Sequence, residues 1–309
     1  MATHGPADPH ELQVDAGDYG HLAATSFAPA DADGPRPVLV CIPGGSYTRR
    51  YFDLEVPGHA GYSFARYATT VGFPVVSFDV LGTGESSRPD GNFDMNDQAS
   101  ALTVALDRLP DLIGRGGPFI AVGHSMGGYV ALLQQAAAPS YAALAILGTT
   151  NQPVAPLALP AELIAGAATP EGRAAIAEQI AAGIPDPYIS DARAALLSWF
   201  HLDDVPRAVI DADLATTQTV VPRGCAATSS VPGITAGAAA SVAVPVLLAY
   251  GEVDVSPAPH LEPSFFTNSH DVSLYVLAGS AHCHNMANTR MRLWDRILAW
   301  CETVTAASP

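Results

Sequence analysis

The chain has 309 residues, room for one large domain with an insertion, and its 49% hydrophobic content against 14% charged is enough for a sizeable core. A formal net charge of −16 with only 14 Lys plus Arg argues against nucleic acid or an anionic membrane surface as a partner. No apolar run reaches the roughly 18 residues of a membrane helix, and residues 1 to 18 lack the basic start and apolar centre of a signal peptide, so a cytoplasmic protein is expected.

Residues 1 to about 18 read as a loose arm, Tyr19 to Phe27 as strand-like, and Asp31 to Pro35 as a turn. Pro37 to Ile42 is a continuous apolar run, the pattern of a strand buried on both faces. It ends at Pro43-Gly44-Gly45-Ser46-Tyr47, a glycine pair whose amides are free to face a ligand. Arg49 and Arg50 follow at once, either as solvated charge or as a fork for a substrate carboxylate. A helix is expected over Tyr62 to Val71, a second buried strand over Phe73 to Val80, and a Gly-rich loop over Leu81 to Pro89. That loop fits neither a dinucleotide fingerprint nor a phosphate loop, so no cofactor is expected. Asp97 to Leu109 reads as a helix closed by Pro110.

The next stretch organises the chain. An apolar run from Pro118 to Val122 leads into Gly123-His124-Ser125-Met126-Gly127, and a small-residue helical pattern continues to Ala138. Strand, sharp turn and helix around G-x-S-x-G is the setting of a nucleophile elbow. It lifts Ser125 to the positive end of a helix, where its hydroxyl meets a base and the Met126 amide meets an oxyanion.

After a strand at Ala143 to Gly148 the alternation breaks. Residues 151 to 242 hold Ala-rich helical pieces, Ala161 to Ala167, Glu171 to Ala182 and Asp191 to His201, interrupted by prolines. This reads as a helical cap over residues 151–242, inserted into a core made of 1–150 and 243–309. Trp199, Phe200 and His201 are candidates for a pocket wall. Strands resume at Val244 to Tyr250 and Val272 to Leu277, and a final helix is expected over Asn288 to Thr303. The fold class is α/β, a mostly parallel, doubly wound sheet with a helical cap insertion.

Asp254 lies beyond the end of one of these strands and His282 beyond the end of the next. In a parallel sheet such loops converge on one edge. A serine needs a base, histidine supplies it near neutral pH, and an acid fixes the histidine tautomer. His284 is a rival base and Asp271 a weaker rival acid, because it precedes its strand. No cysteine pair has metal or redox spacing, and His282-Cys283-His284 is a poor ligand set, so no metal is expected.

The chain resembles the α/β-hydrolase fold family through Gly123-His124-Ser125-Met126-Gly127-Gly128, Gly251-Glu252-Val253-Asp254, Gly279-Ser280-Ala281-His282 and the D-x-x-G-x-G-x-S run from Asp79 to Ser86. The resemblance covers residues about 20–150 and 243–303. It implies Ser125 as nucleophile, His282 as base and Asp254 as acid, with Met126 and either Gly45 or Ser46 giving the oxyanion-hole amides. It departs from the family at Pro43-Gly44, where many members carry His-Gly. The expected activity is hydrolysis of a small-molecule carboxylic ester. Arg49, Arg50 and Trp199 are expected at the substrate, which suggests a monoester of an aromatic diacid such as a monoalkyl phthalate. A lactonase, amidase or C–C bond hydrolase on the same triad, or a ligand-binding protein without chemistry, are the alternatives. Oligomeric state is left open.

Overall fold

The computed structural model describes residues 8–30, 36–89, 92–190, 193 and 196–306. The turn expected at 31–35 lies outside them. Ten strands are present among the described residues: β1 (His10–Asp15), β2 (His21–Phe27), β3 (Val38–Ile42), β4 (Val75–Phe78), β5 (Phe119–His124), β6 (Ala143–Leu147), β7 (Tyr188–Ile189), β8 (Val221–Pro222), β9 (Val246–Gly251) and β10 (Val272–Leu277). Eight form one sheet in the order β1-β2-β4-β3-β5-β6-β9-β10. The pairs β1–β2 and β2–β4 are antiparallel, and all others in that sheet are parallel.

The central strands of the sheet, β3, β4, β5, β6 and β9, are buried on both faces. In β3 the side chains alternate between two cores: Val38, Val40 and Ile42 pack into one, Leu39 and Cys41 into the other. Helices α1 (Phe64–Thr70), α2 (Met95–Ile113) and α3 (Met126–Ala137) follow the first strands. The first core lies under α2 and α3. The second lies under α1 and the C-terminal helix, which places Leu293, Trp294, Ile297 and Cys301 against it.

Two sequence expectations need correction here. Residues 10–15 are not a loose arm but strand β1, whose full register on β2 runs from His10↔Ser26 to Asp15↔His21. Leu12 and Val14 turn inward, and the polar residues around them, Glu11, Gln13 and Asp15, face out. Pro110 does not close α2. A proline lacks only the amide that would bond one turn back, and the helix continues to Ile113. It stops at Gly114, in the left-handed conformation at φ 65, whose amide returns to the Pro110 carbonyl.

The insertion between β6 and β9 is mostly helical. It contains α4 (Ala161–Gly166), α5 (Pro170–Ala182), α6 (Leu197–Phe200), α7 (Arg207–Thr217), α8 (Arg223–Ser229) and α9 (Ala236–Ser241), with β7 and β8 paired as a short antiparallel ribbon. The helix expected over Asp191 to His201 is α6 alone. Of the rest of that stretch, 191, 192, 194 and 195 lie outside the described residues. The C-terminal helix is α10 (Arg290–Ala306). No helix among the described residues is long and apolar enough to cross a membrane. Cys41, Cys225, Cys283 and Cys301 are all free and buried, and burial pushes their thiols up, that of Cys225 to about 12.

Candidate active site

The residue after β5 is Ser125, at φ 53 and ψ −118, outside the ordinary backbone regions for a residue with a Cβ. Short hydrogen bonds on both sides of the residue hold it there. Its amide donates to Leu147 O at 2.7 Å. Its carbonyl accepts from Thr149 Oγ1 at 2.8 Å and from the Gly128 amide at 2.9 Å. The glycines on either side permit the close passage of α3. A Cβ on Gly127 would lie 2.1 Å from Ile42 O, and one on Gly123 would lie 2.7 Å from Gly127 O. Met126 is the first residue of α3, so its amide has no acceptor within the helix.

Asp254 and His282 arrive on the loops after β9 and β10, at the same edge of the sheet. His282 Nδ1 lies 2.7 Å from Asp254 Oδ1, so its proton sits there and Nε2 is the nitrogen left for chemistry. The Asp254 carboxylate also accepts from the amides of Gly251 and Val255, each at 2.7 Å, and from His284 Nε2 at 2.8 Å. Burial alone would push Asp254 up; His282 and His284 outweigh it and hold the carboxyl well below its ordinary range. His284 is buried behind Asp254, and only His282 of the two lines the cavity that Ser125 opens onto. The His282 loop is tied to the insertion by its backbone. The amides of His282 and Cys283 donate to Trp199 O and Phe200 O at 3.1 and 2.9 Å. Asp271 bears none of this, because its strand carries it to the far end of the sheet, where its carbonyl accepts from Val246 N.

The glycine pair forms a turn. Tyr47 N donates to Gly44 O at 3.2 Å, and Ser46 takes the third position at φ 65, as a type II turn requires. Gly44, Gly45 and Ser46 line the same cavity as Ser125, Met126 and His282. Its volume is about 200 Å³, and its wall is largely apolar, with Val154, Leu157, Leu196, Trp199, Phe200 and Val221 contributing. Trp199 and Phe200 reach this wall as expected, and His201 does not.

The sequence from Leu39 to Met291 matches a family model described as the alpha/beta hydrolase family. The chain belongs to the α/β-hydrolase family. Solved structures of the same fold include an esterase from Thermogutta terrifontis (17% identical, 96% of this chain and 99% of that one, TM-score 0.58). E-2-(acetamidomethylene)succinate hydrolase is 18% identical over 95% of this chain and 99% of its own, with a TM-score of 0.61. A haloalkane dehalogenase from Bradyrhizobium elkanii is 16% identical over 97% and 98%, with a TM-score of 0.59. At such identities the likeness is one of fold. A search of curated protein sequences returns no match.

In this hydrolase the two arginines after the glycine turn do not reach the cavity, against the sequence expectation. Arg49 is turned away into a carboxylate cluster. Its guanidinium pairs with Asp79 and Glu85 and, at 2.7 Å, with Glu11; its backbone amide bonds Asp79 Oδ1 at 2.6 Å. Asp79 heads the D-x-x-G-x-G-x-S run, so that motif is a structural knot with Arg49 as its cation. Arg50 is exposed and lines a separate groove with Glu11 and Asp53.

Three residues that sequence reasoning missed sit behind the glycine turn. Arg193 donates to Ser46 O at 2.7 Å and to Ser46 Oγ at 3.2 Å. It pairs with Asp213 at 3.3 Å, and Asp213 accepts from Tyr47 Oη at 2.9 Å. The Tyr47 hydroxyl also lies 3.0 Å from Cys283 Sγ, the residue beside His282. A lone arginine in an Ala-rich stretch carries no motif; a buried Tyr-Asp-Arg set is made only by the fold.

Proposed function

We propose that this α/β hydrolase cleaves carboxylic esters, with Ser125 as nucleophile, His282 as base and Asp254 as the acid that orients it. The observation that carries the reading is Ser125 on a strained elbow, opening onto the same cavity as a histidine whose Nδ1 is held 2.7 Å from a buried carboxylate. His282 Nε2 takes the Ser125 proton as the hydroxyl oxygen attacks the ester carbonyl. The oxyanion is met by the amides of Met126 and Gly45, each such donor contributing roughly 2.7–4 kcal/mol to the transition state. His282 returns the proton to the leaving alcohol. It then deprotonates a water that attacks the acyl-enzyme, and the acid departs. No cofactor is needed.

The substrate we favour is uncharged. Among the described residues no Arg or Lys lines the cavity. Its polar groups are largely engaged by protein: Tyr129 Oη donates to Thr150 O at 2.8 Å, Tyr47 Oη to Asp213, and Ser230 Oγ to Ala226 O at 2.8 Å. A carboxylate would enter without a counter-charge, which costs several kcal/mol. The monoalkyl phthalate depended on Arg49 and Arg50 and loses its support with them. We assign residues 151–242 as the cap over the cavity, with Trp199 packing on the apolar part of the substrate.

The test is a panel of p-nitrophenyl esters of increasing acyl length beside monoalkyl phthalates, with Ser125→Ala in parallel. Turnover of neutral esters, low or absent with phthalates, and lost by at least about 10³-fold in the variant is expected. Equal turnover in Ser125→Ala would sink the nucleophile, and a preference for phthalates would sink the neutral substrate.

A further inference from the structure

We propose that Arg193, supplied by the cap, is a positioning residue for the oxyanion turn, so that the site is competent only while the cap is seated. This rests on the serine-hydrolase reading above. Ser46 is a non-glycine residue at φ 65, in the position of the turn that ordinarily takes glycine. A serine left to itself relaxes from there to negative φ. That relaxation rotates the Gly45–Ser46 peptide and redirects the amides that face the cavity.

Arg193 opposes it at two points on one residue, the Ser46 carbonyl and the Ser46 hydroxyl. Its guanidinium carbon lies 3.5 Å from the centre of the Tyr47 ring, which fixes the next residue as well. Asp213 holds the guanidinium from the other side and takes both the Tyr47 hydroxyl and Thr217 Oγ1, the latter at 2.7 Å. Arg193 and Asp213 are 1% and 0% exposed, so the fork is fixed and dry. Two backbone bonds run across the same seam: Thr219 N to Ser46 O at 3.0 Å and Thr48 N to Thr217 O at 2.8 Å. The Arg193–Asp213 and Asp213–Thr217 bonds lie within the cap; in every other contact one side is the oxyanion turn or the residues just after it, and the other is cap. A core that merely needed covering would not need a buried ion pair placed on the carbonyl of the one strained residue in the turn.

The experiment compares wild type with Arg193→Ala, Arg193→Lys and Asp213→Asn. It reads kcat and KM on a p-nitrophenyl ester per titrated serine, and the rate at which a fluorophosphonate labels Ser125. Phosphonylation passes through the same oxyanion turn. Arg193→Ala is expected to lose about 10²-fold in kcat and in labelling rate, the loss typical of one oxyanion donor, with KM within about threefold. Added guanidinium is expected to restore part of both. Arg193→Lys keeps the charge without the fork and should fall between. Wild-type rates in Arg193→Ala, or a loss carried by KM alone, overturn the proposal. If the alanine variant does not fold, Arg193→Lys and Asp213→Asn decide it by the same ratios. A wild type inert to esters and to the probe overturns the serine-hydrolase reading, and this proposal with it; an active wild type with an equally active Arg193→Ala overturns the arginine's part alone.

Discussion

His124 donates through Nε2 to the His282 carbonyl at 2.9 Å and stacks on Tyr51, with ring centres 4.4 Å apart. Its Nδ1 is buried without a partner. Burial, with the rings of His282 and His284 nearby, holds it well below the ordinary histidine value; the hydrogen bond to the His282 carbonyl and, after it, Asp254 act the other way. The unfolded ring takes a proton near pH 6.5 and the folded one does not. Below that pH the unfolded state therefore binds more protons, and this residue's contribution to stability falls as pH falls, by up to about 1.4 kcal/mol per unit. Urea midpoints measured from pH 8 to pH 5 should drop less steeply in His124→Gln than in wild type; parallel slopes would show that the ring is charged in the fold. The residues of the elbow and of the strand ends were readable because local spacing places them. Gly123, Ser125 and Gly127 sit on one tight turn, and Asp254 and His282 follow apolar runs directly. Arg193 and Asp213 were not, since their meeting depends on the insertion folding back onto a turn some 150 positions away in sequence.

At the scale of elements, Arg49 is a clasp. It bonds Glu11 on β1, Thr25 on β2, and Asp79 and Glu85 around the loop after β4, while sitting just after the glycine turn at Gly44 to Tyr47. The antiparallel hairpin at the sheet edge is thereby fastened to the loop that shapes the site. Arg49→Met leaves the fully buried Asp79 without its cation and should cost about 3–5 kcal/mol in urea unfolding, with the ratio of acidic to neutral ester turnover unchanged. A changed ratio would return the residue to the substrate. Strands β3, β5, β6 and β9 were legible because continuous apolar runs admit few other structures. β1 was not: its polar residues His10, Glu11, Gln13 and Asp15 outnumber Leu12 and Val14, and the alternation is too short to stand out. Helices α7 and α8 of the insertion were hidden by prolines that start them rather than break them, Pro206 and Pro222 standing just before them.

On the scale of the molecule, the chain is a sheet whose central strands are covered on both faces and an insertion built from short pieces; α4, α6, α8 and α9 have 6, 4, 7 and 6 residues. Short helices with half-exposed faces open at lower free energy than a central strand does. The four thiols divide along that line. Cys41 is in β3 and Cys301 in α10, whereas Cys225 is in α8, and Cys283, though it packs in the same core as Cys41 and Cys301, is bonded through its amide to Phe200 O of the insertion. None is accessible in the closed fold, so each is a clock that starts only when its own region opens. Under dilute alkylating reagent, mass spectrometry should find Cys225 and Cys283 modified in an early phase and Cys41 and Cys301 together in a late one. A single common rate would instead mean that the insertion and the sheet come apart in one event.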